Sequence, residues 1–277
     1  MNAVVTRTKA RAGTHAVLLL FSAVALLPFV SILLISLYPH DQAISGLALP
    51  HSLDFGNYAD AWTTGNFAAL SKSSGIVTAC VVPLTSLVSV LNGYVFGTMN
   101  FRFKTPLFYL FLIGLVMPFE ATIIPLYYDL REFGLANTYP GLILPETALY
   151  LSFGTLWMRA HFLTAQRPVI EAAQMEGAGP WTILWRILLP GARPAITTMM
   201  ALFTVWSWNE FLLALVLAQA PDVQTAPAGL ASFVGEHTTD TSGLAAAAVI
   251  VTIPVLVVYV LLQRSFIQGI ASGGVKG

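Results

Sequence analysis

The sequence predicts an all-α integral membrane protein: six transmembrane helices, with a helical cytoplasmic segment between the fourth and fifth. Three observations carry this. The chain of 277 residues is 56% hydrophobic and only 9% charged, against about 25% charged in soluble domains, so a water-facing surface could not be covered. Six apolar runs approach the roughly 20 residues that cross a bilayer as a helix. The basic residues gather on alternate connections between those runs.

The runs lie at about 16–37, 75–96, 106–126, 141–162, 196–217 and 244–262. Basic residues precede the first, as in a signal peptide. It is too long for a signal core and no small-residue cleavage site follows Leu37, so it is expected as an uncleaved anchor. The third and fourth runs are less clean because Glu120 and Glu146 interrupt them. Pro28, Pro83, Pro118, Pro125, Pro145 and Pro254 fall within or beside the runs and are expected to bend helices. External loops are expected at 40–74, 128–140 and 218–243, and the long cytoplasmic loop at 163–195. No internal repeat is visible, so residues 1–277 read as one membrane domain.

Charge placement fixes the orientation. With the N-terminus inside, the cytoplasmic segments hold Arg7, Lys9, Arg11, Arg102, Lys104, Arg159, Arg167, Arg186, Arg193, Arg264 and Lys276, which is 11 of the 13 basic residues; only Lys72 and Arg131 fall outside. The reverse orientation inverts the positive-inside bias and is rejected. Thirteen acids balance the thirteen bases, so no basic excess points to nucleic acid. The single cysteine, Cys80, sits in an apolar run and makes neither an internal disulfide nor a metal motif. His15, His40, His51, His161 and His237 are scattered, and no HExxH, GxSxG or GxxxxGK[ST] motif occurs. Gly269 to Lys276 approaches a phosphate loop by letter but fails its spacing. No catalytic residue, metal site or resident cofactor is expected.

The cytoplasmic loop is the most structured of the connections. Pro168 suits a first helical position and Glu171 a first turn; Ala172 and Ala173 form helix with little bulk. Gly177 and Gly179 are expected to stop that helix through a left-handed cap. Pro180 then opens a second helix with Trp181, Leu184, Trp185 and Leu188 on one apolar face, ended by Pro190. Such a segment is either a docking knob or an amphipathic connector. Inside the runs, Trp206, Trp208, Asn209 and Glu210 combine ring faces with hydrogen-bonding groups, which suits a path for sugars. They and Glu120 are candidate path residues; helix–helix hydrogen bonding is the other reading.

The pattern Glu171-Ala172-Ala173, Gly177, then Ile187-x-Leu189-Pro190 resembles the EAA loop of permeases from binding-protein-dependent ABC importers. Glu176-Gly177-Ala178, Ile124-Pro-Leu-Tyr, Asn137-Thr-Tyr, Leu142-Ile-Leu-Pro, Trp208-Asn-Glu-Phe-Leu and the final Gly274-Val-Lys-Gly277 resemble the carbohydrate-uptake branch, in its smaller, maltose-type second permease. Glu176 stands where Asp is commoner. The resemblance implies that the loop is a coupling helix, with Glu171, Ala172, Ala173, Met175, Gly177, Ile187, Leu189 and Pro190 serving a separate ATPase. Residues 273–277 are secondary candidates for that contact. It implies a homologous second permease, two ATP-binding subunits that hold ATP and Mg, an extracellular or periplasmic solute-binding protein touching residues 218–243, and a sugar-type solute crossing the bacterial cytoplasmic membrane. Another solute, such as a polyol, glycerophosphodiester or amino acid, or an ion-coupled secondary transporter, are the alternatives.

Overall fold

The computed structural model describes residues 2–39, 49–164, 167–235 and 240–274. His40, His237, Lys276 and the final three residues lie outside the described residues. In chain order the helices are α1 (Asn2–Ile35), α2 (Gly56–Thr64), α3 (Phe67–Thr98), α4 (Lys104–Val116), α5 (Phe119–Glu132) and α6 (Tyr139–Leu163). There follow α7 (Arg167–Met175), α8 (Pro180–Thr182), a π-helical turn (Ile183–Leu188), α9 (Leu189–Trp208), α10 (Leu212–Leu217), α11 (Ala226–Gly229), a 3₁₀ turn (Leu230–Phe233) and α12 (Thr241–Gly274).

Two compact units are distinguished. The first comprises Met1–Phe67 and Leu230–Thr252. Here α1 presents an apolar stretch, Val17–Ile35, with none of it buried, as expected of a helix solvated by lipid. Its C-terminal end is closed by Asn57, whose Nδ2 donates to the carbonyls of Ser36 at 2.9 Å and Tyr38 at 2.8 Å. The Ser36 and Tyr58 hydroxyls meet at 2.6 Å. These groups partner carbonyls that the helix end cannot pair itself. Phe67 stacks on Phe233 at 6.2 Å, and Asp240 caps α12 by accepting the Gly243 N–H at 2.9 Å.

The second unit, Ala68–Gly229 with Ile253–Gly277, holds the larger core. Its centre is the pairing of α3 with α6. Gly93 and Gly97 lie four apart on α3 and oppose Met158 and Phe162 of α6, while Gly154 opposes Ser89. Small residues let membrane helices approach closely, and dispersion and interhelical hydrogen bonds then hold them. Asn92 Nδ2 donates to Thr155 Oγ1 at 3.2 Å across this contact. The polar residues of α6 are buried: Glu146, Thr147, Ser152 and Thr155. Helix α6, the expected fourth span, is therefore less apolar than a lipid-facing helix because it is sheltered by protein.

Among the described residues, four helices are long and apolar enough to cross a bilayer: Val17–Ile35, Phe67–Thr98, Pro180–Trp208 and Thr241–Leu261. The expected third span is not one rod. It is α4 and α5, bent by 97° at Met117–Pro118. Pro118 has no N–H and holds the preceding Met117 extended at ψ 125°. The expected fifth run is also broken, at Asn209–Phe211. Conversely, Pro190 does not end a helix. The chain runs from α8 through the π turn into α9 with Pro190 in the first turn of α9. Such a widened turn tolerates a residue that cannot donate back to the preceding turn.

A Cβ at Gly93 would collide with the α6 backbone at Met158 and Arg159, whereas one at Gly75 would meet nothing within 4 Å. Gly93→Val is therefore expected to lower stability by about 2 kcal/mol or more, and Gly75→Ala to leave it unchanged or raised. Thermal unfolding of the detergent-purified chain measures both.

Candidate functional site

Helix α7 is built as the sequence demands. It ends in paired bonds that close a Schellman motif: the Ala178 N–H reaches the Ala173 carbonyl at 2.9 Å and the Gly177 N–H the Gln174 carbonyl at 3.0 Å. Gly177 carries the required positive φ of 82°. The helix begins at Arg167, so Glu171 falls beyond the first turn where it was expected. The two alanines part company: Ala172 is exposed and Ala173 is 8% exposed, inside the core cluster. Ile170 and Ala178, partly buried, pack against the same cluster. Met175, 89% exposed, and Glu171 stand on accessible parts of the helix.

Beneath α7 lies a cleft of about 540 Å³, lined by Glu171 and Gln174 on one side and by Tyr94, Thr98 and Asn100 at the end of α3 on the other. The Tyr94 hydroxyl donates to the Pro180 carbonyl at 3.1 Å and its ring meets Phe162 edge-on at 6.1 Å. Ile187 and Leu189 are half-buried against the core and Pro190 is exposed. The expected single apolar face on 181–188 is divided: Leu184 and Leu188 are buried, while Trp181 and Trp185 are exposed. The π turn, with more residues per turn than an α-helix, rotates the tryptophans off the leucine face.

The second constellation surrounds the break after α9. Asn209 caps α9, its Nδ2 donating to the Val205 carbonyl at 2.7 Å, and remains exposed. Glu210 Oε1 accepts the Leu213 N–H at 2.9 Å and so caps α10. Glu210 lies within electrostatic range of Glu146 and of Glu120. Glu146, which interrupts the fourth apolar run, is 2% exposed beside the Ser207 and Tyr150 hydroxyls, with Oε1 unpartnered. Its burial is not legible in the sequence, because a lone glutamate in an apolar run carries no sign of which neighbours it meets. Trp206 and Trp208 do not come together. Trp206 packs on Phe153 at 4.9 Å and Tyr150 at 5.6 Å of α6, whereas Trp208 faces α3 and α12.

The Asn137-Thr138-Tyr139 stretch ties this region down. Asn137 is left-handed, φ 58°, and its Oδ1 accepts the Gln219 and Ala220 N–H groups at 2.7 and 3.0 Å. Thr138 caps α6 through Gly141 N–H, and the Tyr139 hydroxyl donates to the Asp222 carbonyl at 3.0 Å. Much of the expected external loop 218–243 is consequently not a free surface: Ala218, Val223 and Ala226–Gly229 are buried.

Replacing Glu146 by Ala takes a partner from the Tyr150 hydroxyl and leaves a void, a loss of about 2–4 kcal/mol; Glu146→Gln keeps shape and hydrogen bonding and is expected to cost under about 1 kcal/mol. Unfolding midpoints of the two purified variants test this.

The diacetylchitobiose uptake system permease protein NgcG of Streptomyces coelicolor is 32% identical over 94% of this chain and 87% of its own. The trehalose transport system permease protein SugB of Mycobacterium tuberculosis is 32% identical over 91% of this chain and 93% of its own. A chain of a bacterial ABC transporter that imports the acidic polysaccharide alginate shares the fold, with TM-score 0.78 and 24% identity over 93% of this chain and 97% of that one. Residues 61–272 match the family described as binding-protein-dependent transport system inner membrane component, and the chain belongs to it.

Proposed function

We propose that this chain is one permease half of an ATP-driven importer for a sugar or oligosaccharide. The six spans are α1, α3, the bent pair α4–α5, α6, α9 with α10, and α12, with both termini in the cytoplasm. A homologous second permease completes the path. Two ATP-binding subunits, which hold ATP and Mg, dock from inside. A solute-binding protein delivers the solute from outside, against exposed tips such as Gln219–Asp222. ATP hydrolysis belongs to the partners. Permeases of diacetylchitobiose and trehalose systems, both sugars, are the relatives that support the solute class.

The observation that carries this reading is α7. It is a short helix that buries Ala173 and Ile170 against the membrane core while offering Glu171, Ala172 and Met175 to a partner. An element held on one face and open on the other transmits displacement. Gly177 sets its end, and Ile187, Leu189 and Pro190 carry the force into α9. The solute path runs past the α9–α10 break, where Asn209, Glu210 and Glu120 offer polar groups. Trp206 and Trp208 support the break from opposite sides.

Glu171→Lys reverses a charge in the docking face, and Gly177→Val imposes a strained left-handed residue where no steric clash exists. Each is expected to cut solute uptake and solute-stimulated ATPase of the assembled complex by more than about tenfold, with membrane insertion intact. Uptake at the wild-type rate in both variants refutes the coupling role. Sugar-dependent ATPase in the assembled complex tests the solute class separately.

A further inference from the structure

One face of α9 carries two unlike features in line. Arg193, Thr197, Met200, Thr204 and Trp208 recur at spacings of three and four and share that face. Arg186 stands seven residues before Arg193, also exposed. Neither guanidinium has an ion-pair or ring partner among the described residues. At the other end of the face, Met200, Thr204 and Trp208 line a cleft of about 420 Å³, closed by α3 and the later part of α12. Pro83 and Pro254, each inside its helix, are among its walls.

The cleft is apolar, and its two threonines turn their hydroxyls elsewhere. Thr204 Oγ1 donates to the Met200 carbonyl at 2.8 Å, and Thr78 Oγ1 accepts from Ser207 at 3.2 Å. A sugar entering here would lose its water and gain no partner. A hydrocarbon chain loses nothing.

We infer that this face is a binding site for one anionic phospholipid, with the headgroup on Arg186 and Arg193 and an acyl chain in the α3–α9–α12 cleft. The distances agree. At 1.5 Å per residue, Arg193 lies about 10 Å along the axis from Met200, and the cleft runs about 12 Å more to Trp208, a span that one acyl chain covers. The exposed Trp181 and Trp185 flank the arginine end, as tryptophans do at headgroup level. Two arginines with an anionic headgroup form charge-assisted hydrogen bonds, which a zwitterionic lipid matches less well.

The test is native mass spectrometry of the assembled complex titrated with dioleoylphosphatidylglycerol or dioleoylphosphatidylcholine. Wild type is expected to retain one phosphatidylglycerol at this site in preference to phosphatidylcholine. Arg186→Gln and Arg193→Gln are each expected to weaken it roughly fivefold, the worth of one basic side chain at an anionic surface. Gly75→Leu fills the cleft with no backbone clash and is expected to abolish retention with both arginines present. Equal retention of the two lipids, or unchanged binding in the arginine and Gly75 variants, overturns the assignment. So does a crosslinker on the neighbouring exposed Cys80 that captures a helix of the second permease in the cleft of the wild-type complex.

Discussion

A hydrocarbon solvent supplies no hydrogen bonds, and that single constraint organises this chain. Backbone that leaves the helical ladder must find a partner within the protein. At the α9–α10 break the Glu210 carboxylate takes the Leu213 N–H and Asn209 returns to Val205. At the α4–α5 bend Pro118 has no N–H to leave unpaired. The irregular positions of a membrane helix are thus where polar side chains become necessary, and those side chains are then available for function.

The same constraint explains why the core is polar and tight. Lipid is as apolar as leucine, so helices gain little by hiding leucine from it. The α3–α6 contact uses Gly93, Gly97 and Gly154 with Asn92 and Thr155 instead. A core packed backbone to backbone is stiff and passes strain onward. Helix α7 contributes Ala173 to the same core cluster, and the Tyr94–Pro180 hydrogen bond ties α3 to α8, which follows it.

Apolar runs made the long helices legible in the sequence, because they follow from composition over about 20 residues. The end of α7 was legible too, since Gly177 alone meets the left-handed cap cheaply. What escaped was anything decided by neighbours. Pro190 reads as a stop, yet the π turn before it absorbs the missing donor. Pro118 reads as a kink, yet the chain turns through 97°. Glu146 and Glu210 read alike as acids in apolar runs, but packing buries the first and sets the second at a helix start. Ala172 and Ala173 are adjacent identical letters with opposite exposures.

Trp206 and Trp208 show how far periodicity alone limits a site. Residues two apart on a helix are about 200° apart around its axis, so two neighbouring tryptophans cannot both face one lumen while α9 stays helical. One must meet α6 and the other α3 and α12, as their contacts record. Only where the helix ends can successive side chains serve the same space. Asn209 and Glu210 sit at that end, with Glu120 in the first turn of α5 within electrostatic range of Glu210. Polar side chains consequently gather at the break, and the rings before it pack to either side.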